Sequence, residues 1–187
     1  MRKILLLLVL CAVLLGIAAL IYFYLHPLKF AVALPAAVEA SQSETYVSKR
    51  DVPPGFVEYA RQNYHFSILL PETVTIKEQG GTGDEPLMLV VQDPSSGYGF
   101  QIYAFPYNQP TITQERFKID EPSGAMKQPQ DVKVAGAKGT MFVSTAAPVG
   151  DIREIWFINN GIMYEVTTAL TFDDWIRPIM GTWQFIE

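Results

Sequence analysis

The 187-residue sequence predicts an α+β protein in which an N-terminal transmembrane helix precedes an antiparallel β-sheet domain flanked by helices. Three observations predict this. An uncharged apolar stretch lies near the N-terminus, short apolar segments separated by Pro, Gly and Asp follow it, and an amphipathic stripe precedes the C-terminus. We therefore divide the chain into an anchor (residues 1–25), a linker or stalk (26–62) and a folded domain (63–187).

The anchor consists of an apolar stretch from Ile4 to Leu25 that follows Arg2 and Lys3. As a helix it would reach about 33 Å, which is enough to cross a hydrocarbon core of about 30 Å. Because the bases come first, we expect a single-pass cell-membrane protein with a cytoplasmic N-terminus and an extracytoplasmic domain. Cleavage as a signal peptide stays open, since residues 31–33 and 38–40 contain the small residues that a signal peptidase accepts.

The composition excludes several classes of partner and cofactor. Residues 51–187 carry nine bases and seventeen acids, a net charge of -8. This argues against nucleic acid as a partner, because phosphate binding needs clustered Lys and Arg. Two histidines and one cysteine argue against zinc fingers, iron–sulfur sites and disulfide scaffolds.

The linker is Ala-rich and then polar, which is typical of a flexible stalk. Within it, residues 56–60 predict a short helix that lies on the domain. The domain then predicts strands at 64–70, 74–78, 87–92, 98–105, 132–134 and 139–145. The nearly continuous apolar run at 87–92 indicates burial on both faces. Between the fourth and fifth of these strands, Thr113 is expected to cap a short helix, with Ile112 and Phe117 as a hydrophobic staple.

A hairpin at residues 152–169 is the sharpest local prediction. Asn160-Gly161 suits a type I′ turn, which sets Asn159 opposite Ile162. One face of the hairpin would carry Ile155, Phe157, Ile162, Tyr164 and Val166. The other would carry Trp156, Ile158 and Met163 beside Glu154, Glu165 and Thr167. Either a second layer covers this second face, or Trp156, Ile158 and Met163 form a candidate interaction face.

An amphipathic helix follows the hairpin, with Phe172, Trp175, Ile176, Ile179 and Met180 on one stripe. Thr171 can cap its start, and Pro178 should kink or shorten it. Gly181 is expected to end it, and residues 182–186 to return as a last strand.

These packing residues carry a resemblance to a known family. They are the strand–Pro segment at 65–71, the hairpin segments at 154–157 and 161–167, the amphipathic helix, and the closing residues 181–185. In this pattern the chain resembles bacterial membrane-anchored proteins with a PsbP-like domain, some of them uncharacterised. The resemblance covers residues 64–187 and implies an α/β/α sandwich with an accessory or binding role at a membrane surface. Photosynthetic members assist a manganese–calcium site, but the resemblance implies no ligand position in this chain.

Residues for catalysis or for metal binding do not form a recognisable constellation in the sequence. His65 is expected in a strand, and no G-x-S-x-G occurs. The acid pairs at 84–85, 120–121 and 173–174 lack the alternating spacing that calcium loops use. We therefore expect no catalytic residue, no cofactor and no metal.

The sequence is most consistent with a binding or accessory domain that contacts another membrane or envelope protein. The contact would use an exposed sheet edge or the face of Trp156, Ile158 and Met163. Two alternatives stay open. One is a small-ligand or metal-binding module with loop acids as ligands. The other is an envelope hydrolase that uses Asp84, Glu85, Asp173 and Asp174.

Overall fold

The structure, a computed structural model, describes residues 50–82, 85–120, 126–146 and 150–187. The strands in these ranges are β1 (Phe56–Arg61), β2 (Phe66–Pro71), β3 (Thr75–Gly80), β4 (Leu87–Gln92), β5 (Gly99–Pro106), β6 (Lys127–Val134), β7 (Ala137–Ala146), β8 (Gly150–Asn159), β9 (Ile162–Ala169) and β10 (Gln184–Phe185). The helices are α1 (Gln114–Asp120) and α2 (Asp173–Met180), and two 3-10 turns cover Gln62–Tyr64 and Leu170–Phe172.

The strands form two antiparallel sheets. A three-stranded sheet has the order β1-β2-β10, and a seven-stranded sheet has the order β3-β4-β5-β9-β8-β7-β6. Helix α1 packs on one face of the large sheet, and the small sheet together with α2 packs on the other. The predicted antiparallel α+β domain is confirmed. The layer opposite α1 differs from the expected α/β/α sandwich because it is mostly a second sheet.

The main core fills the space between the two sheets and is rich in aromatic rings. The Phe66 and Trp183 rings stack with centroids 4.6 Å apart, and the Phe157 and Tyr164 rings stack at 5.0 Å. The Tyr164 hydroxyl donates to the Tyr64 carbonyl oxygen at 2.6 Å. The tyrosine thus brings its one polar group into the core with a partner, which avoids a desolvation cost.

The β8–β9 hairpin has the predicted turn and register. Asn159 lies opposite Ile162, and the pairing continues to Ile152 opposite Ala169. Asn160 and Gly161 have φ values of 48° and 76°, both in the left-handed region that a type I′ turn requires. The predicted division of the side chains between two faces is therefore confirmed.

The start of α1 also agrees with the sequence. The Thr113 hydroxyl oxygen accepts the backbone N–H of Arg116 at 3.1 Å, as a capping residue should. Ile112 and Phe117 pack into one apolar cluster, which is what a hydrophobic staple does.

Two predictions about residues 56–92 are wrong. Residues 56–60 form no helix, because Phe56–Arg61 pairs along its whole length with the free side of β2. The folded part therefore includes residues that we assigned to the linker. Strand β4 is not buried on both faces, since Val90 is 37% exposed. Among the described residues, the apolar cluster under α1 includes no residue of β4, so α1 does not extend over that end of the face.

The C-terminal helix begins differently from the prediction. Thr171 does not cap it, because residues 170–172 form a 3-10 turn and Phe172 takes the N-cap position without a side-chain hydrogen bond. The helix does end at Met180, where the Gly181 N–H donates to the Arg177 carbonyl. The last strand is shorter than expected, and His65 lies in a left-handed turn (φ 52°) instead of a strand.

The predicted anchor, Ile4 to Leu25, lies outside the described residues, as does most of the linker. Within the ranges that the structure covers, no helix has the length and apolar character needed to cross a membrane.

Candidate functional site

The predicted interaction face is largely covered by helix α1. Trp156 is 1% exposed and Met163 is fully buried. The Phe117 ring of α1 lies 5.6 Å from the Trp156 ring, and Ile158 is half-buried at the border of the same cluster. The prediction that Trp156 and Met163 are available to a partner is therefore wrong. The second layer that we weighed against it is present, and it is α1.

A buried polar cluster ties α1 to the sheet beneath it. Arg116 of α1 pairs with Asp120 at 2.5 Å, and its guanidinium nitrogen lies 3.8 Å from the Glu165 carboxyl oxygen on β9. The same guanidinium lies 4.2 Å from the centre of the Phe105 ring, a cation–π distance. One cation therefore holds the helix to β5 and β9.

The two glutamates of this face are satisfied in different ways. Glu154 accepts hydrogen bonds from the Trp156 indole N–H at 3.0 Å and from the Thr167 hydroxyl at 2.8 Å. Burial raises the pKa of Glu165 to about 9, and the neighbouring Asp120 carboxylate adds to this rise. The raised pKa favours the protonated form of Glu165, whose carboxyl O–H can donate a hydrogen bond to the Asp120 carboxylate. The sequence showed both glutamates on this face but could not show that α1 would pack here and bring Arg116 next to Glu165.

Among the residues that the structure describes, the acids considered as metal ligands or catalytic groups do not come together. In the part of the chain described here, no group of three or more His, Cys, Asp and Glu residues is arranged to hold a metal ion. Asp173 pairs with Arg153 at 2.7 Å, while Asp174 and Glu85 are exposed. Asp84 and Glu121 lie outside the described residues.

The two edges of the large sheet differ, and this points to a contact surface. Strand β6 forms one edge and carries Pro129, a register shift between Lys127 and Gln130, and Gln128 at φ 50°. Proline and bulges are devices that stop an edge from pairing with another chain. Strand β3 forms the other edge, pairs with β4 without a register shift, and exposes all six residues.

The β3 edge, which we define as residues Thr75–Gly80, is held in place by a neighbouring strand. Glu78 of β3 forms an ion pair with Arg61 of β1, which is the outer strand of the small sheet. Val57 on β1 and Ile76 on β3 are 41% and 36% exposed. The two outer strands thus offer free backbone groups together with some apolar surface, and the sequence signal was only the absence of Pro in β3.

Comparison with known proteins supports the fold. The chain is similar to the solution structure of cyanobacterial PsbP (CyanoP) from Synechocystis sp. PCC 6803, with a TM-score of 0.50 and 7% sequence identity. The match covers 76% of this chain and 98% of that one. No protein-family model matches the sequence, and no curated protein does. The likeness is one of fold alone: the domain is a mostly antiparallel β-sheet domain with few helices, similar to PsbP.

Proposed function

We propose that the protein is a membrane-anchored accessory domain that binds another envelope protein through the β3 edge. The observation that carries this proposal is the contrast between the two edges of the large sheet. Strand β6 has a proline and a bulge, whereas all six residues of β3 are exposed and in regular register.

The proposed mode of contact is strand addition. An extended segment of the partner would pair with the outward-facing N–H and C=O groups of β3, which supply affinity without regard to sequence. Exposed apolar side chains such as Ile76 and Val57 would add selectivity for the partner's side chains. The accessory role is consistent with the PsbP-like fold, and no catalytic step is part of the proposal.

The experiment compares two variants of the full-length protein in a crosslinking pull-down from its native membrane. Ile76→Lys with Gln79→Lys adds two lysines to the β3 edge. The matched control, Gln128→Lys with Gln130→Lys, adds two lysines to the β6 edge. We expect one recurrent partner with the unaltered chain and the control, and at least a tenfold loss with the β3 variant. Equal recovery by both variants would refute the role of β3.

The anchor is a second part of the proposal and has its own test. The apolar run from Ile4 to Leu25 supports it. We expect the full chain to stay with the membrane after alkaline carbonate extraction, and a chain lacking residues 1–25 to be released. Release of the full chain under the same conditions would contradict the anchor and leave the β3 proposal to its own experiment.

A further inference from the structure

A groove of about 560 Å³ lies beside α1 on the same face of the large sheet. Its two walls are the chain that leads into α1 and the β6–β7 hairpin. The side chains that matter here belong to Thr111, Ile112, Lys133, Lys138, Thr140 and Ile158. A volume of this size falls within the range of roughly 300–1,000 Å³ that is usual for small-molecule sites.

Two lysines stand directly opposite each other in this groove. Lys133 on β6 is the cross-strand partner of Lys138 on β7, so both side chains leave the same face. Like charges directly opposite in a sheet destabilise it. Across residues 50–82, 85–120, 126–146 and 150–187, neither lysine forms an ion pair. Both lysines are exposed, and an anion between the two ammonium groups would relieve their repulsion.

Protection of the sheet edge accounts for only one of the two lysines. Lys133 lies on the outer strand, where a lysine discourages pairing with another chain. Lys138 lies on β7, which is paired on both sides and needs no such protection. Asp131 also lines the groove and offsets one positive charge, which leaves the groove with a net charge of +1 in a domain that is otherwise acidic.

Apolar surface lies in the same groove as the lysines. Ile112 and Ile158 line it and are half-buried, and both pack against the cluster of Trp156 and Phe117. We infer that this groove binds a small amphipathic anion. The anionic group would lie between Lys133 and Lys138, and the apolar part would contact Ile112 and Ile158.

The test follows isoleucine methyl signals of the full-length protein in nanodiscs of zwitterionic lipid. The probes are 4-phenylbutyrate and 4-phenylbutyl phosphate, with 4-phenylbutylamine as the charge control. We expect one or both anions to shift the methyl signals of Ile112 and Ile158 saturably, without shifting those of Ile76 and Ile119. Which anion binds more tightly identifies the headgroup as a carboxylate or a phosphate.

Paired variants decide whether the lysines hold the anion. Lys133→Gln with Lys138→Gln should raise the Kd at least about tenfold, whereas Lys77→Gln with Lys127→Gln removes the same charge elsewhere and should leave it within about twofold. Equal binding of the amine, an unchanged Kd in the first variant, or no saturable shift with either anion would each overturn the inference.

Discussion

At the scale of single residues, Glu165 shows how burial decides the state of a carboxyl group. It faces α1, with Asp120 and Arg116 as its charged neighbours on the helix and Glu154 beside it on the sheet. Burial raises the pKa of Glu165 to about 9, and the neighbouring carboxyl groups of Asp120 and Glu154 add to this rise. The neutral form is thus the one that the folded protein stabilises.

This raised pKa predicts a pH dependence of stability. The pKa in the unfolded chain is near 4.5 and that in the fold is about 9, so the folded state holds this proton over the interval between them. The contribution of Glu165 is therefore most favourable below pH 4.5 and weakens as the pH rises to 9, by at most about 1.4 kcal/mol per pH unit. Glu165→Gln, which cannot ionise, should gain stability relative to the unaltered protein as the pH rises from 6 to 8.5.

Urea unfolding at the two pH values measures this effect. Glu115→Gln changes an exposed glutamate of α1, the helix that packs over Glu165, and serves as the matched control. If the Glu165→Gln variant kept a constant difference from the unaltered protein at both pH values, Glu165 would titrate normally and the account of the cluster would be wrong.

A second residue-scale prediction concerns the turn between β6 and β7. Ala135 has φ 47° and Gly136 has φ 91°, so the turn needs two left-handed residues and fills the first with alanine. An alanine in this region costs roughly 1–2 kcal/mol, and Asn tolerates it better. Ala135→Asn should raise the free energy of unfolding by about 0.5–1 kcal/mol, measured in urea. Asn160→Ala, the reverse change in the equivalent turn, should lower it; a loss of stability in Ala135→Asn would contradict this reading.

At the scale of elements, α1 covers the sheet face that we predicted as an interaction face. Phe117 is 6% exposed and contacts the Phe142 and Trp156 rings at 5.5 and 5.6 Å, whereas Ile119 on the same helix is 68% exposed. Phe117→Ala should cost about 3–5 kcal/mol because it leaves a cavity over the sheet. Ile119→Ala should cost less than about 0.5 kcal/mol. Chemical unfolding of both variants tests this, and similar losses would mean that α1 does not cover the face.

The elements also show where sequence reasoning succeeds. The β8–β9 hairpin and the cap of α1 follow from residues within a few positions of each other, Asn160-Gly161 and Thr113. Local chemistry is enough to predict such features. Strand β1 was predicted as a helix because its reason for being extended lies in β2, whose free side it pairs with. Which helix covers Trp156 is likewise decided by tertiary packing, through Arg116 and Phe117, and not by periodicity.

At the scale of the whole molecule, the chain combines an acidic domain of PsbP-like fold with a proposed anchor and a proposed contact edge. The antiparallel α+β class was predictable because short strands, turn residues and one amphipathic stripe are all local signals. The β3 edge was not, because only the strand order puts Thr75–Gly80 on the outside. The pairing of Lys133 with Lys138 was not predictable either, because it depends on the register between β6 and β7.

The most direct measurement of the central claim is site-specific photo-crosslinking in the native membrane. The photoreactive residue p-benzoylphenylalanine would replace Gln79 on the β3 edge or, as the matched position, Gln130 on the β6 edge, both of which are exposed. We predict one discrete adduct with an envelope protein from position 79 and none from position 130. Adducts from 130 alone, equal adducts from both positions, or none from 79 would contradict binding through β3.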